Sequence, residues 1–249
     1  MSKGMLRSAL TATAAAALVA GTGAGMTAAF AGQPADAGPP YSFTTVLNGQ
    51  FAFTPLKNAA MIRKSDHGLT WYSGQQNGDL TVTKDGNSLR FHDKTANRFE
   101  ELAGACHEVN VDKGVGAVCS ISDDYTTGKP MLLEIWPRLG HDFTDGSTLP
   151  ATIAMSVLGD DGDDVALLGD GPDFFNGAKG KDRVKGGAGN DWLRTGDHDD
   201  RIRGGSGNDY LMGVAGNDWI RGGAGDDRIG GGPGNDDVRG GSGTNRISS

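Results

Sequence analysis

Nine aspartates, Asp164, Asp173, Asp182, Asp191, Asp200, Asp209, Asp218, Asp227 and Asp236, stand at a constant interval of nine residues, and Asn245 takes the next place. A short carboxylate recurring among glycines suits the binding of a hard divalent cation. Calcium takes about six to eight oxygen ligands, and a glycine turn with positive φ curls its backbone carbonyls toward a centre that a carboxylate completes. The selection is for the length of the acid rather than its charge, because residues 151–249 hold 17 aspartates and no glutamate. Aspartate keeps its carboxylate close to the backbone, where glutamate would overshoot. These nine residues are the candidate metal ligands, and several Ca2+ ions are the candidate cofactor.

The elements that must position them follow from the same period. From Gly159 to Ser248 the chain divides into ten consecutive nonapeptides with no insertion, and Gly186-Gly187-Ala188-Gly189-Asn190-Asp191-Trp192-Leu193-Arg194 is a clean copy. The sixth position is the aspartate. The eighth is always apolar: Ala166, Phe175, Val184, Leu193, Ile202, Leu211, Ile220, Ile229, Val238 and Ile247. A frame of this kind is the signature of a stacked repeat architecture, in which no single unit buries enough surface to be stable alone.

These residues resemble the hemolysin-type (RTX) calcium-binding repeat, G-G-x-G-x-D-x-U-x. The resemblance implies an all-β fold, a right-handed parallel β-roll in which two repeats make one coil, the first six residues of each forming a turn and the last three a short strand. Coils of a parallel solenoid stack about 4.8 Å apart. Carboxylates 18 residues apart are then expected to share a cation, from Asp164 with Asp182 to Asp218 with Asp236, and more weakly Asp227 with Asn245. Position eight should form a thin aliphatic core, with positions seven and nine facing outward. Three departures stand out: Leu168 replaces the first glycine of the second repeat, and Thr195 and His198 replace the first and fourth of the fifth. Sites using the turn around Asp200 are expected to bind most weakly. The sequence ends one residue after the last repeat, which predicts a frayed or partner-covered terminal coil.

Charge supports a cation partner. Over residues 151–249, 11 Lys and Arg against 17 Asp leave the stretch net −6 of a total of −8, a balance that argues against nucleic acid. Without the cation, carboxylates would repel one another with almost no core to oppose them, so the repeats are expected to be unfolded until calcium binds.

Met1 to Ala31 reads as an export signal. Lys3 and Arg7 precede an Ala-rich apolar stretch, and Ala29-Phe30-Ala31 fits a small-x-small cleavage site, so a secreted, extracellular protein is expected. Such a signal is N-terminal, whereas many members of the resembled family carry one at the C-terminus. Residues 32–40 have the composition of a linker. Residues 41–150 predict a small β-rich N-terminal domain ahead of a roll over 151–249, and they look like the N-terminal region of secreted bacterial calcium-binding proteins. One hairpin turns at Lys84-Asp85-Gly86-Asn87, a second at Asp112-Lys113-Gly114, and Met131–Trp136 and Thr152–Leu158 are further strands. Cys106 and Cys119, thirteen apart near the ends of the second hairpin, are expected to form a disulfide.

With faces repeating every 18 residues, Phe174, Trp192 and Tyr210 align on one sheet, and Arg183, Lys185, Arg201, Arg203, Arg221 and Arg239 on the other. Either this is a solvated surface whose basic stripe balances the acidic turns, or the first row serves sugar rings, as of a cell-surface polysaccharide, or self-association, and the second polyanions. No nucleophile elbow, H-E-x-x-H, phosphate loop or EF-hand frame is present. The expectation is a non-catalytic calcium-binding protein with a structural or adhesive role. The competing class is a secreted protease or lipase with a calcium-dependent tail.

Overall fold

The computed structural model describes residues 59–74, 77–137 and 139–248. The expected export signal and linker lie outside the described residues. Every element described is a strand, so no helix there is long and apolar enough to cross a membrane.

The N-terminal part contains β1 (Ala59–Lys64), β2 (Gly68–Tyr72), β3 (Asp79–Asp85), β4 (Ser88–Asp93), β5 (Arg98–Leu102), β6 (Cys106–Val109), β7 (Val115–Ser120), β8 (Met131–Trp136) and β9 (Phe143–Asp145). Then come β10 (Ile153–Leu158), β11 (Val165–Leu167), β12 (Phe174–Lys179), β13 (Arg183–Ala188), β14 (Trp192–Asp197), β15 (Arg201–Ser206), β16 (Tyr210–Ala215), β17 (Trp219–Ala224), β18 (Arg228–Gly230), β19 (Asp237–Ser242) and β20 (Arg246–Ser248). They form two sheets of ten strands each. Sheet A runs in the order β5-β1-β2-β8-β10-β12-β14-β16-β18-β20, and sheet B in the order β6-β7-β4-β3-β9-β11-β13-β15-β17-β19. Successive strands therefore alternate between the sheets from β8 onward, which is the winding of a parallel β-solenoid of about six turns.

Within the repeats every parallel pair joins residues 18 apart, for example Trp192 with Tyr210 and Arg183 with Arg201. The expectation of two nonapeptides per coil is met. Strands are longer than expected, however. Most span six residues, crossing the repeat boundary into the glycines, and their pairing skips position one of each repeat: after Lys185 with Arg203 comes Gly187 with Gly205.

The expected boundary at residue 150 coincides with no edge of either sheet. Strand β8 pairs in parallel with both β2 and β10, and β9 with both β3 and β11, so coils of the same build begin well before the repeats. The remaining N-terminal strands close that end. The β3–β4 hairpin turns at Gly86 (φ 54°), β7 adds antiparallel to β4, and β6 adds to β7 through the second hairpin at Gly114 (φ 82°). On sheet A, β1 pairs antiparallel with β2 and carries β5 outside it. The Cys106–Cys119 disulfide joins the outermost strand of sheet B to its neighbour.

One apolar core runs between the sheets from Ile62 to Ile229. Its N-terminal end is thick, with Trp71 stacked on Phe91 at 5.4 Å and edge-on to Phe99. Through the repeats it thins to the position-eight residues, which are buried from Ala166 to Ile229. Val238 is half-buried, and Ile247 is 53 % exposed.

Candidate metal centre

In all the repeat aspartates but Asp173 the two carboxylate oxygens have separate surroundings. Oδ1 accepts the backbone N–H of the aspartate one coil earlier: Asp164 donates to Asp182 at 2.9 Å, Asp182 to Asp200 at 2.8 Å, and Asp200 to Asp218 at 2.9 Å. The opposite edge repeats the pattern, from Asp173 to Asp191 at 2.9 Å, Asp191 to Asp209 at 3.0 Å and Asp209 to Asp227 at 3.0 Å. Asp218 continues the first file to Asp236, and Asp227 ends the second on Asn245. The pairs expected from the 18-residue period are therefore joined directly, side chain to backbone.

Oδ2 has no partner. In Asp164, Asp182, Asp191, Asp200, Asp209, Asp218 and Asp227 this oxygen is buried and accepts no hydrogen bond. Buried polar atoms nearly always find a partner, and a carboxylate oxygen without one calls for a proton or a cation. Burial, the dominant cause, drives the carboxyls up from the ordinary 3.8: to about 8 for Asp164, about 9 for Asp191, about 7 for Asp200 and Asp209, and about 6 for Asp182 and Asp218. The amide from the preceding coil opposes this shift, while neighbouring carboxylates add to it in most cases.

Where a repeat begins with glycine, the missing side chain lets Oδ2 lie close against the backbone. A Cβ on Gly204 would fall inside van der Waals distance of Asp209 Oδ2 and 2.7 Å from the carbonyl oxygen of Gly222, one coil further on. Gly186 stands in the same relation to Asp191 and the Gly204 carbonyl. A carboxylate oxygen and a carbonyl oxygen from the next coil thus lie side by side against a glycine, where a side chain would strike both. No group of three His, Cys, Asp or Glu side chains converges among the described residues. A cation held here would draw most of its ligands from backbone carbonyls, which suits calcium and not the softer metals.

Departures from the glycine frame change the surroundings of two aspartates. Thr195 is fully buried, and its hydroxyl donates to the Gly213 carbonyl at 3.2 Å while also lying against Asp200. A side chain thus stands where other repeats have glycine, in the turn expected to bind most weakly. His198 sits at φ 88°. Leu168 has a different effect: the Gly169 N–H donates to Asp173 Oδ2 at 2.9 Å and the Met155 N–H to Oδ1 at 2.7 Å, so both oxygens of Asp173 are taken. Among the repeat aspartates from 164 to 227, it alone lacks a free Oδ2.

Two features were missed by the sequence frame. Asp142 lies before the repeats, yet its N–H donates to Asp164 Oδ1 at 2.8 Å, its Oδ2 is buried without a partner, and burial lifts its carboxyl to about 7. The visible signal was Gly140-His141-Asp142, positions four to six of a copy separated from the rest by the Gly146-to-Leu149 insertion. The second is position five. Asn190 Oδ1 accepts the Asn208 N–H, Asn208 Oδ1 accepts the Asp226 N–H, and on the other edge Asp199 and Asn217 do the same for Asn217 and Asn235. Position six reaches back one coil and position five reaches forward, so the turns with Asn or Asp at position five are tied in both directions. The recurring Asn or Asp at position five was the overlooked sign.

A parallel β-roll whose turns stack carboxylate and carbonyl oxygens from coil to coil defines a class of repeat module suited to hard cations. The model of the RTX calcium-binding nonapeptide repeat (4 copies) matches residues 158–193, 176–211 and 212–247, and this segment is a run of RTX calcium-binding repeats. No curated protein and no solved structure matches the chain.

Proposed function

We propose that the chain is an exported, non-catalytic calcium-ion-binding protein whose repeats fold around Ca2+ and serve a structural or adhesive role at the cell surface. The ligands are the unpartnered Oδ2 atoms of Asp164, Asp182, Asp191, Asp200, Asp209, Asp218 and Asp227, with Asp236 at the edge, together with carbonyls of position one. The observation that supports this reading is the two files of buried carboxylate oxygens without a donor, seven in all among the repeat aspartates. Calcium supplies the positive charge that lets these oxygens remain ionised in the fold. Export is supported by the basic start and apolar stretch of Met1 to Ala31 and by a disulfide, which belongs to oxidising compartments.

The partner proposed is cell-surface polysaccharide. Phe174, Trp192 and Tyr210 do line up on sheet A, with Trp192 and Tyr210 rings 4.6 Å apart, but Phe174 and Tyr210 are each only 8 % exposed. That row offers little open surface to a sugar or to a second copy.

Circular dichroism of the purified chain during a calcium titration tests the folding claim. Strand signal should appear cooperatively between high micromolar and millimolar calcium, the range of extracellular modules, and disappear with chelator. A spectrum indifferent to calcium, or calorimetry with no heat of binding, would end this reading.

A further inference from the structure

The outward face of sheet B carries a grid of cations, four of which form no ion pair among the described residues. Arg183 and Arg201 occupy one file, and Lys185, Arg203, Arg221 and Arg239 the next, in direct register from coil to coil. Arg221 pairs with Asp237 at 2.6 Å, and Arg239 lies 3.6 Å from the same carboxylate. Arg183, Lys185, Arg201 and Arg203 are exposed and form no ion pair with any described residue. Between β13 and β17 no acid occupies an outward position of this sheet.

These charges are not there to balance the aspartates of the turns. Where the roll does that, it uses lysines of the turns themselves: Lys181 bonds Asp199 at 3.1 Å, and Lys179 lies 3.6 Å from Asp161. The free cations lie on the flat of the sheet instead. Neighbours are about 4.8 Å apart across strands and about 6.6 Å apart along them. Arg203 and Arg221 also place their guanidinium groups over the Trp219 ring, at 5.3 and 4.0 Å, which holds both in place above the face.

We propose that this face binds a linear acidic polysaccharide, one bearing a carboxylate or sulfate on successive sugars. The ordered guanidinium groups match such anions in forked, two-point hydrogen bonds, and a rigid flat grid suits an extended chain laid across the coils. Nucleic acid fits less well. Duplex DNA carries a charge about every 1.7 Å and would meet the acidic turns that flank the sheet. Single strands bind by stacking bases on open aromatic rings, and Trp219 is engaged by two arginines. This inference rests on the calcium-loaded roll of the preceding section, since only the ordered coils bring the cations into register.

The test uses the full chain with saturating calcium and chondroitin sulfate as the probe, with uncharged dextran and a single-stranded oligonucleotide as further arms. Wild-type protein should retain chondroitin sulfate in a salt-sensitive manner and ignore dextran. The variant carrying Arg183→Gln, Lys185→Gln, Arg201→Gln and Arg203→Gln should bind about tenfold or more weakly, whereas Lys179→Gln with Lys181→Gln should bind as wild type. Equal loss in both variants, unchanged binding by the fourfold variant, equal retention of dextran, or tighter binding of the oligonucleotide would each overturn the proposal. Circular dichroism of the same samples separates the two readings: a chain that never orders with calcium sinks both, while an ordered chain with no glycan retention sinks this one alone.

Discussion

At the scale of single residues, the two oxygens of each repeat aspartate but Asp173 have separate duties, and substitution can tell them apart. Asp209→Asn keeps an acceptor for the Asp191 N–H but puts an amide NH2 in the place of Oδ2, so calorimetry should show fewer calcium ions bound and a higher calcium midpoint for folding. Asp173→Asn is the contrast, because both oxygens of Asp173 already accept backbone N–H groups. It should cost roughly 1–3 kcal/mol of stability through the lost hydrogen bond, with the number of ions unchanged. Backbone shape gives a third case. Val214, a β-branched residue, is held at φ 93° where a side chain crowds its own backbone. Val214→Gly should therefore stabilise the calcium-loaded roll by about 1 kcal/mol, seen as a higher Tm. The sequence frame pointed to Thr195 and His198 but not to Val214, Ala178 or Asp160, because it weighed glycines one and four, and the left-handed position-two residues show themselves only as angles.

At the scale of elements, the N-terminal strands act as the cap that a solenoid needs. They extend both sheets, and their large residues Trp71 and Phe91 thicken a core that otherwise consists of one side chain per nonapeptide. Reducing the Cys106–Cys119 bond frees the edge strand β6 and should cost about 3 kcal/mol by the loop-entropy estimate. Thermal unfolding under reducing conditions, with calcium present, would register it as a lower midpoint, while calorimetry should return the same number of bound ions. Both hairpins and the strands at Met131 and Ile153 were legible from turn residues and alternation. Strands β1, β2, β5 and β9 were not. Gly68–Tyr72 is buried along its whole length, so it shows no alternation, and Phe143–Asp145 is only three residues long.

At the scale of the whole molecule, protons and calcium compete for the same oxygens. In the folded roll burial lifts the carboxyls of Asp164, Asp182, Asp191, Asp200, Asp209 and Asp218 from their ordinary 3.8 to between about 6 and about 9. A group raised in this way favours the folded state when protonated, so its contribution is complete at acid pH and is lost as the pH climbs through 6 to 9. Chelated protein should accordingly gain strand signal as the pH is lowered from 8 to 5. With calcium the dependence reverses: the ions displace protons, so the calcium midpoint should rise as the pH falls from 8 to 6. Parallel titrations by circular dichroism at several pH values would check both directions, and a midpoint independent of pH would contradict the shared-oxygen account.

The period of nine by itself set the aspartates and the apolar residue in equivalent positions, because a repeated unit must place equivalent residues in equivalent surroundings, and the resemblance that the period carries implied the roll and its two-repeat coil. The period could not show which carboxylate oxygen is free, that position five mirrors position six, or that Asp142 extends a file across an insertion of four residues. Those depend on which backbone N–H lies opposite each side chain one coil away, a relation between residues distant in the chain that only the stacking of coils creates. The union of the N-terminal strands with the roll is of the same kind: strand pairing, not composition, joins Gly68–Tyr72 to Met131–Trp136 and makes one core of what reads as two regions.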